Sequence, residues 1–134
     1  MPIASSAPLT GVRILLVEDH SDTRELYGRI LAEQGATVTA TGRVVAALEV
    51  LGIVDIIVTD VVMPDGDGVA LLEYVRTKAP GVPVIGVSGF AKEQEPRLAA
   101  AAFDLLLLKP VDPWVLAERI ASVLRQRHPP SIPT

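Results

Sequence analysis

Between residues 11 and 127, short apolar runs rich in β-branched residues alternate with stretches whose apolar positions recur every three or four residues. The short runs are Arg13–Val17, Thr37–Ala40, Ile56–Thr59, Val84–Val87 and Leu105–Leu108. Three of them are apolar at successive positions, the pattern of strands covered on both faces. The run Leu105-Leu106-Leu107-Leu108 has weak intrinsic β-propensity; its length and its place in the alternation make it a strand, with a helical turn as the rival. The longer stretches carry helix punctuation. Ser21 or Asp22 caps the first, with Glu25 as the capping-box partner of Asp22. Leu26/Ile30 and Tyr27/Leu31 pair along it, and Gly35 stops it. A second helix runs from about Arg43 to Leu51 and ends at Gly52. A third follows Gly68, turns Leu71, Leu72 and Val75 inward, and stops at Pro80-Gly81. A fourth covers about 93–102, is Ala-rich and buries little beyond Leu98. The last opens at Asp112-Pro113, a cap followed by a first-turn proline, and carries the stripe Leu116, Ile120, Val123 and Leu124.

Five strand–helix alternations in so short a span predict an α/β fold. It is a doubly wound (βα)5 unit, a five-stranded parallel sheet with right-handed crossovers and helices on both faces. At 134 residues the chain holds one core. Residues 1–10 are expected to form a flexible tail and 11–127 the domain. Residues 128–134, with three prolines, are expected to form a tail or the start of a linker. In open sheets of this kind the ligand crevice lies outside the carboxyl ends of the strands.

Composition narrows the function. Twelve basic residues against 16 acidic ones give a formal charge of −4 and a pI near 5.1, which argues against direct nucleic-acid binding. A hydrophobic content of 49% excludes disorder for most of the chain. The absence of cysteine removes disulfides, Cys-ligated metals and thiol catalysis together. No apolar run reaches the roughly 18 residues of a membrane span. The N-terminus lacks the basic-then-apolar order of a signal peptide, so a cytoplasmic location is expected.

The chemistry gathers where the fold predicts a crevice. Glu18 and Asp19 follow the first strand, Asp60 the third, Ser88 the fourth, and Lys109, before Pro110, the fifth. Three carboxylates in one crevice repel one another unless a hard cation joins them. Mg²⁺ suits the set, because it binds through a few carboxylates and keeps positions for phosphate oxygens. Lys109 offers an ammonium, Ser88 a hydroxyl, and Asp60 a carboxylate able to attack phosphorus. Each group alone has a bland reading: an acidic helix cap, a turn residue, a solvated strand end. Only their joint position makes the functional one.

Glu18-Asp19, Asp60 with Met63-Pro64 and Gly68, Ser88-Gly89 and Lys109-Pro110 together resemble the receiver domain of two-component response regulators, over residues 11–127. The resemblance implies a flavodoxin-like, CheY-like fold with Asp60 as phospho-acceptor. It implies Mg²⁺ held by Glu18, Asp19, Asp60 and the backbone carbonyl of Val62, with Asp19 direct and Glu18 mostly through water. Ser88 is then the switch hydroxyl and Lys109 the phosphate-binding lysine, with a Lys-Pro bond that is usually cis in the family. A histidine kinase or phosphotransfer domain supplies the phosphoryl group. A downstream partner or output domain reads the surface of the fourth helix, fifth strand and fifth helix, which also serves for a homodimer. Such a module is no enzyme beyond its own phosphorylation and dephosphorylation. It is a single-domain regulator or a receiver from a larger protein.

Three positions set this chain apart within the family, one at the switch and two at positions where members vary. Leu106 stands where an aromatic usually couples to the switch hydroxyl. Val62 and Phe90, each two residues past a site residue, are apolar where attacking water must pass, which predicts a long-lived phosphoryl group. Competing readings are a degenerate receiver that binds without phosphorylation, and an aspartyl-nucleophile phosphatase, for which Val62 replaces the usual second acid. A flavin-binding module is a third, with an acidic loop unsuited to phosphate. Asp65-Gly66-Asp67-Gly68 is followed by Val69, which breaks the alternating oxygen donors of a calcium loop, and it reads as a turn capping the third helix. His20 reads as an exposed neighbour of a cap or as a group tuning the acid pair. Trp114 is read either as a core residue or as an exposed anchor.

Overall fold

The computed structural model describes residues 8–47, 53–63, 66–89 and 102–127. Its main sheet has five parallel strands: β1 (Arg13–Val17), β2 (Thr37–Thr41), β3 (Ile56–Asp60), β6 (Val84–Ser88) and β7 (Leu105–Leu108). Their order is β2-β1-β3-β6-β7. The helices are α1 (Ser21–Glu33), α2 (Val44–Ala47), α3 (Gly68–Lys78) and α4 (Pro113–Arg127). A two-residue antiparallel ladder, β4 (Val62–Met63) with β5 (Gly66–Asp67), lies between β3 and α3.

Strand alternation builds two cores. Ile14 and Leu16 of β1, Val58 of β3 and Ile85 of β6 pack with Tyr27 and Leu31 of α1 and Leu116 and Ile120 of α4. Leu15 and Val17, Ile57 and Val84 point the other way and meet Val44, Leu71, Leu72 and Val75 of α2 and α3. The central strands β3 and β6 are buried along their whole length, which explains their apolar runs. A fully buried Leu or Ile contributes about 1.5–3 kcal/mol, and eleven large side chains of this core are under 2% exposed. The two cores therefore fix the sheet's register, because a one-residue slip would turn both sets to the wrong layer. Leu105–Leu108 is a strand and not a helical turn. It pairs in parallel with β6 from Ile85↔Leu105 to Ser88↔Leu108.

The opposite, N-terminal edge of the sheet is tied by ions. Asp104, just before β7, accepts from the Val84 N–H and from Arg76 of α3, both at 2.7 Å, and from Arg127 of α4 at 3.1 Å. Arg13 pairs with Asp55 at 2.9 Å.

The structure corrects several sequence expectations. Packing begins before residue 11: Leu9, placed in the flexible tail, is fully buried, and its N–H donates to the Gln34 carbonyl. The α1 cap is His20, in extended geometry and without a side-chain capping bond. The Arg24 N–H reaches the His20 carbonyl at 2.9 Å, so the first turn starts early enough to place Ser21 and Asp22 inside the helix, and no capping box forms. Leu26, paired with Ile30 in the sequence reading, is 39% exposed. The described part of Asp65–Gly68 is the second arm of the β4–β5 ladder, leading directly into α3. The Asp112 cap holds: its Oδ1 accepts from the N–H groups of Trp114 and Val115. Residues 48–52 of the second expected helix, 93–101 of the fourth, and Phe90 lie outside the described residues.

Candidate functional site

Parallel pairing brings the strand ends to one edge. Val17 lies opposite Thr59, and Asp60 opposite Val87. Ser88 lies opposite Leu108, and the Lys109 N–H donates to the Ser88 carbonyl at 2.8 Å. Glu18, Asp60 and Ser88 are all nearly inaccessible, at 3%, 2% and 3%. The Lys109 ammonium stands 2.8 Å from Asp60 Oδ1 and 3.9 Å from Glu18 Oε1. The Lys109-Pro110 peptide is cis. Gly68 is required here by close approach. A Cβ on it would run into the Asp60 carbonyl oxygen and lie 3.0 Å from the Val61 Cα, while its N–H donates to the Val61 carbonyl at 2.7 Å.

Burial raises the Asp60 pKa above the ordinary carboxylate range, and the neighbouring Glu18 adds to this. Lys109 opposes the rise without cancelling it. For Lys109, burial disfavours the charge, but Asp60, Glu18 and Asp19 outweigh it and lift its pKa. Burial likewise raises the Tyr27 phenol, with Glu18 adding.

Ion pairing at 2.8 Å does not complete the Asp60 shell. Both of its carboxylate oxygens are buried, and neither has a well-formed hydrogen bond among the described residues. Oxygens from Glu18, Asp19 and Asp60 and a nitrogen of His20 all lie within 4.8 Å of one another. Buried, under-coordinated carboxylate oxygens beside further acids fit a hard divalent cation.

The structure thus brings together Glu18, Asp19, Asp60, Ser88 and Lys109 at one edge. Val62 stands in β4, two residues past Asp60, with its side chain 58% exposed. Leu106 approaches Gly86, its Cδ1 3.0 Å from where a Cβ there would sit. Trp114 is exposed at 57%. Arg24, Gly42 and Tyr27 contribute with no sequence signal at the site, whereas His20 is the neighbour of the acid pair already named from the sequence. Arg24 donates to the Glu18 carbonyl at 2.8 Å, and a Cβ on Gly42 would stand 2.6 Å from its Nη1. Tyr27 donates its hydroxyl to the Val111 carbonyl, joining α1 to the loop after Lys109. The His20 N–H holds Glu18 Oε2 at 3.1 Å. A cavity of about 450 Å³ beside the site is lined by His20, Thr23, Tyr27, Lys109 and Pro110.

The sheet order and this strand-end cluster define a flavodoxin-like α/β fold of the CheY type. The response regulator receiver domain family matches residues 14–121, and the chain belongs to it. A 14.6 kDa protein of Leptolyngbya boryana, encoded in the sodA1 3′ region, is 36% identical over 113 residues, covering 81% of this chain and 86% of its own length. The sensor kinase CckA of Brucella abortus is 39% identical over 119 residues, which are 85% of this chain and 13% of CckA. The chain therefore spans a small part of that longer relative. A crystal structure of the signal receiver domain of a Syntrophus aciditrophicus signal transduction histidine kinase superposes with a TM-score of 0.80 at 26% identity. It covers 92% of this chain and 98% of that one. No helix among the described residues is long and apolar enough to cross a membrane.

Proposed function

We propose that this receiver domain accepts a phosphoryl group on Asp60 from a histidine kinase or phosphotransfer domain in the cytoplasm. The observation that carries the reading is the buried, under-coordinated Asp60 carboxylate, flanked by Lys109 and facing Glu18 and Asp19. A carboxylate oxygen of Asp60 forms a bond to phosphorus as the bond from phosphorus to the donor's imidazole nitrogen breaks, and that nitrogen takes a proton from solvent. A desolvated carboxylate sheds little water before attack. Lys109 neutralises charge on the transferring oxygens. The Ser88 hydroxyl, one residue past the Asp60↔Val87 pair, donates to another. Glu18, Asp19, Asp60 and the Val62 carbonyl would hold Mg²⁺, which supplies charge neutralisation to the phosphoryl oxygens when bound. The chain catalyses only its own phosphorylation and dephosphorylation.

Phosphorylation would be read on the face formed by β7 and α4, where Leu108 and Val115 are exposed, through a partner, an output domain or a second copy. The exposed apolar Val62 side chain supports a slow loss of phosphate. Replacing Val62 by Asn is expected to shorten the lifetime of the phosphorylated form several-fold, followed by intact mass after removal of the donor.

The test of the main reading is intact mass after incubation with a small phosphodonor. One phosphoryl group is expected with Mg²⁺, none with chelator, and none on Asp60→Asn. Unchanged labelling of Asp60→Asn would overturn it.

A further inference from the structure

The oxygens of the acidic pocket account for a hard cation, but one member of the cluster is not an oxygen. The His20 Nδ1 stands 3.4 Å from Glu18 Oε2 and 3.6 Å from Asp19 Oδ1. Its ring is open to solvent, and its backbone N–H already anchors Glu18, so the imidazole is held at the rim by the residue it faces. Donors on one tetrahedral Zn²⁺, at bond lengths of about 2.0–2.2 Å, stand about 3.4 Å apart. Neighbouring donors on octahedral Mg²⁺, at about 2.0–2.1 Å, stand about 2.9 Å apart. The His20 nitrogen, in hydrogen-bond reach of Glu18 Oε2, is close enough to the acidic oxygens to share one ion with them, all four donors lying within 4.8 Å of one another. Independently, the buried Asp60 oxygens lack well-formed hydrogen bonds among the described residues and belong to the same cluster. Imidazole nitrogen favours borderline transition metals and adds little for Mg²⁺.

From this juxtaposition of His20 with Glu18, Asp19 and Asp60 we infer that His20 is a metal ligand. It gives this pocket a second mode of occupancy, by a borderline transition-metal dication such as Zn²⁺, in competition with Mg²⁺. The inference rests on the acidic pocket of the proposed acceptor site and adds a selectivity that oxygen donors alone do not provide.

The experiment is calorimetric titration of the full chain with Zn²⁺ and, separately, with Mg²⁺, for wild type, His20→Gln and His20→Phe, with folding checked by circular dichroism. Both variants are expected to lose about 10–100-fold in Zn²⁺ affinity while Mg²⁺ affinity stays within about two-fold. In wild type, the His20 ring proton resonances should move with Zn²⁺ and stay in place with Mg²⁺; the His20 variants distinguish them from those of His128. Unchanged Zn²⁺ affinity in the variants overturns the inference, as does an equal loss for both ions, which would mean that His20 acts through the fold or the local field. Zn²⁺ binding that depends on His20, with no Mg²⁺ binding to wild type, would support His20 as a ligand and count against the acceptor reading. Binding of neither ion overturns both.

Discussion

Asp60 combines two roles that pull against each other. Burial and Glu18 raise its pKa, so the folded chain keeps its proton at pH values where the unfolded chain has lost it. The native state then binds more protons, and stability must fall as pH rises from the ordinary value of 3.8 through the elevated native one. Asp60→Asn removes that loss. In chelator at pH 7 the variant is expected to melt about 3–5 °C higher than wild type, about 1 kcal/mol, and the gain should shrink toward pH 4. A variant that melts lower at pH 7 would refute the assignment of strain to this carboxylate. Lys109 follows the same sign in a higher window: its raised pKa makes its contribution complete at neutral pH, and that contribution is lost as pH climbs from 10.5 through the raised native value. The pocket is thus least comfortable in the ionised, metal-free state, the state that the proposed cation would relieve.

At the scale of elements, the site depends on strands whose far ends are anchored. Asp104 ties β6, α3 and α4 at the edge away from the chemistry, through the Val84 N–H, Arg76 and Arg127. Asp104→Ala leaves a backbone donor and two guanidinium groups without their shared acceptor. It is expected to lower the free energy of unfolding in urea by about 2 kcal/mol while leaving the extent of Asp60 phosphorylation unchanged. Strand β7 shows the same dependence on neighbours. Its four leucines have no strong preference for a strand, and they form one because β6 offers a free edge with matching register. Gly86 leaves room for Leu106 and Phe103 beside that pairing.

For the whole molecule, occupancy of the pocket should appear in global stability, because the proposed cation would bind the assembled strand ends and not the unfolded chain. Mg²⁺ at ten times its dissociation constant is expected to stabilise wild type by about 1.4 kcal/mol, read as a rise in Tm. Asp60→Asn should show a much smaller rise. Equal rises in both proteins would point to binding elsewhere. The two cores make this coupling direct: the strands that carry Glu18, Asp60 and Ser88 are the same ones that separate α1 and α4 from α2 and α3.

The class of fold and the identity of the cluster were legible in the chain. Alternating apolar runs and helical stripes report which faces are covered, and covered faces follow from local residue order. The order of site residues after successive strands was legible for the same reason. What local order does not encode is contact across the sheet. The ion pair between Lys109 and Asp60, the guanidinium of Arg24 on the Glu18 carbonyl, and the anchor at Asp104 join residues far apart or on different elements. They exist only once the strands are in register. The α1 cap fell to His20 because backbone geometry, not side-chain capping preference, set the first turn. The sequence determined the donors available; the tertiary structure decided which of them share a pocket, because pKa shifts and metal affinity depend on distance and burial, and both arise only on folding.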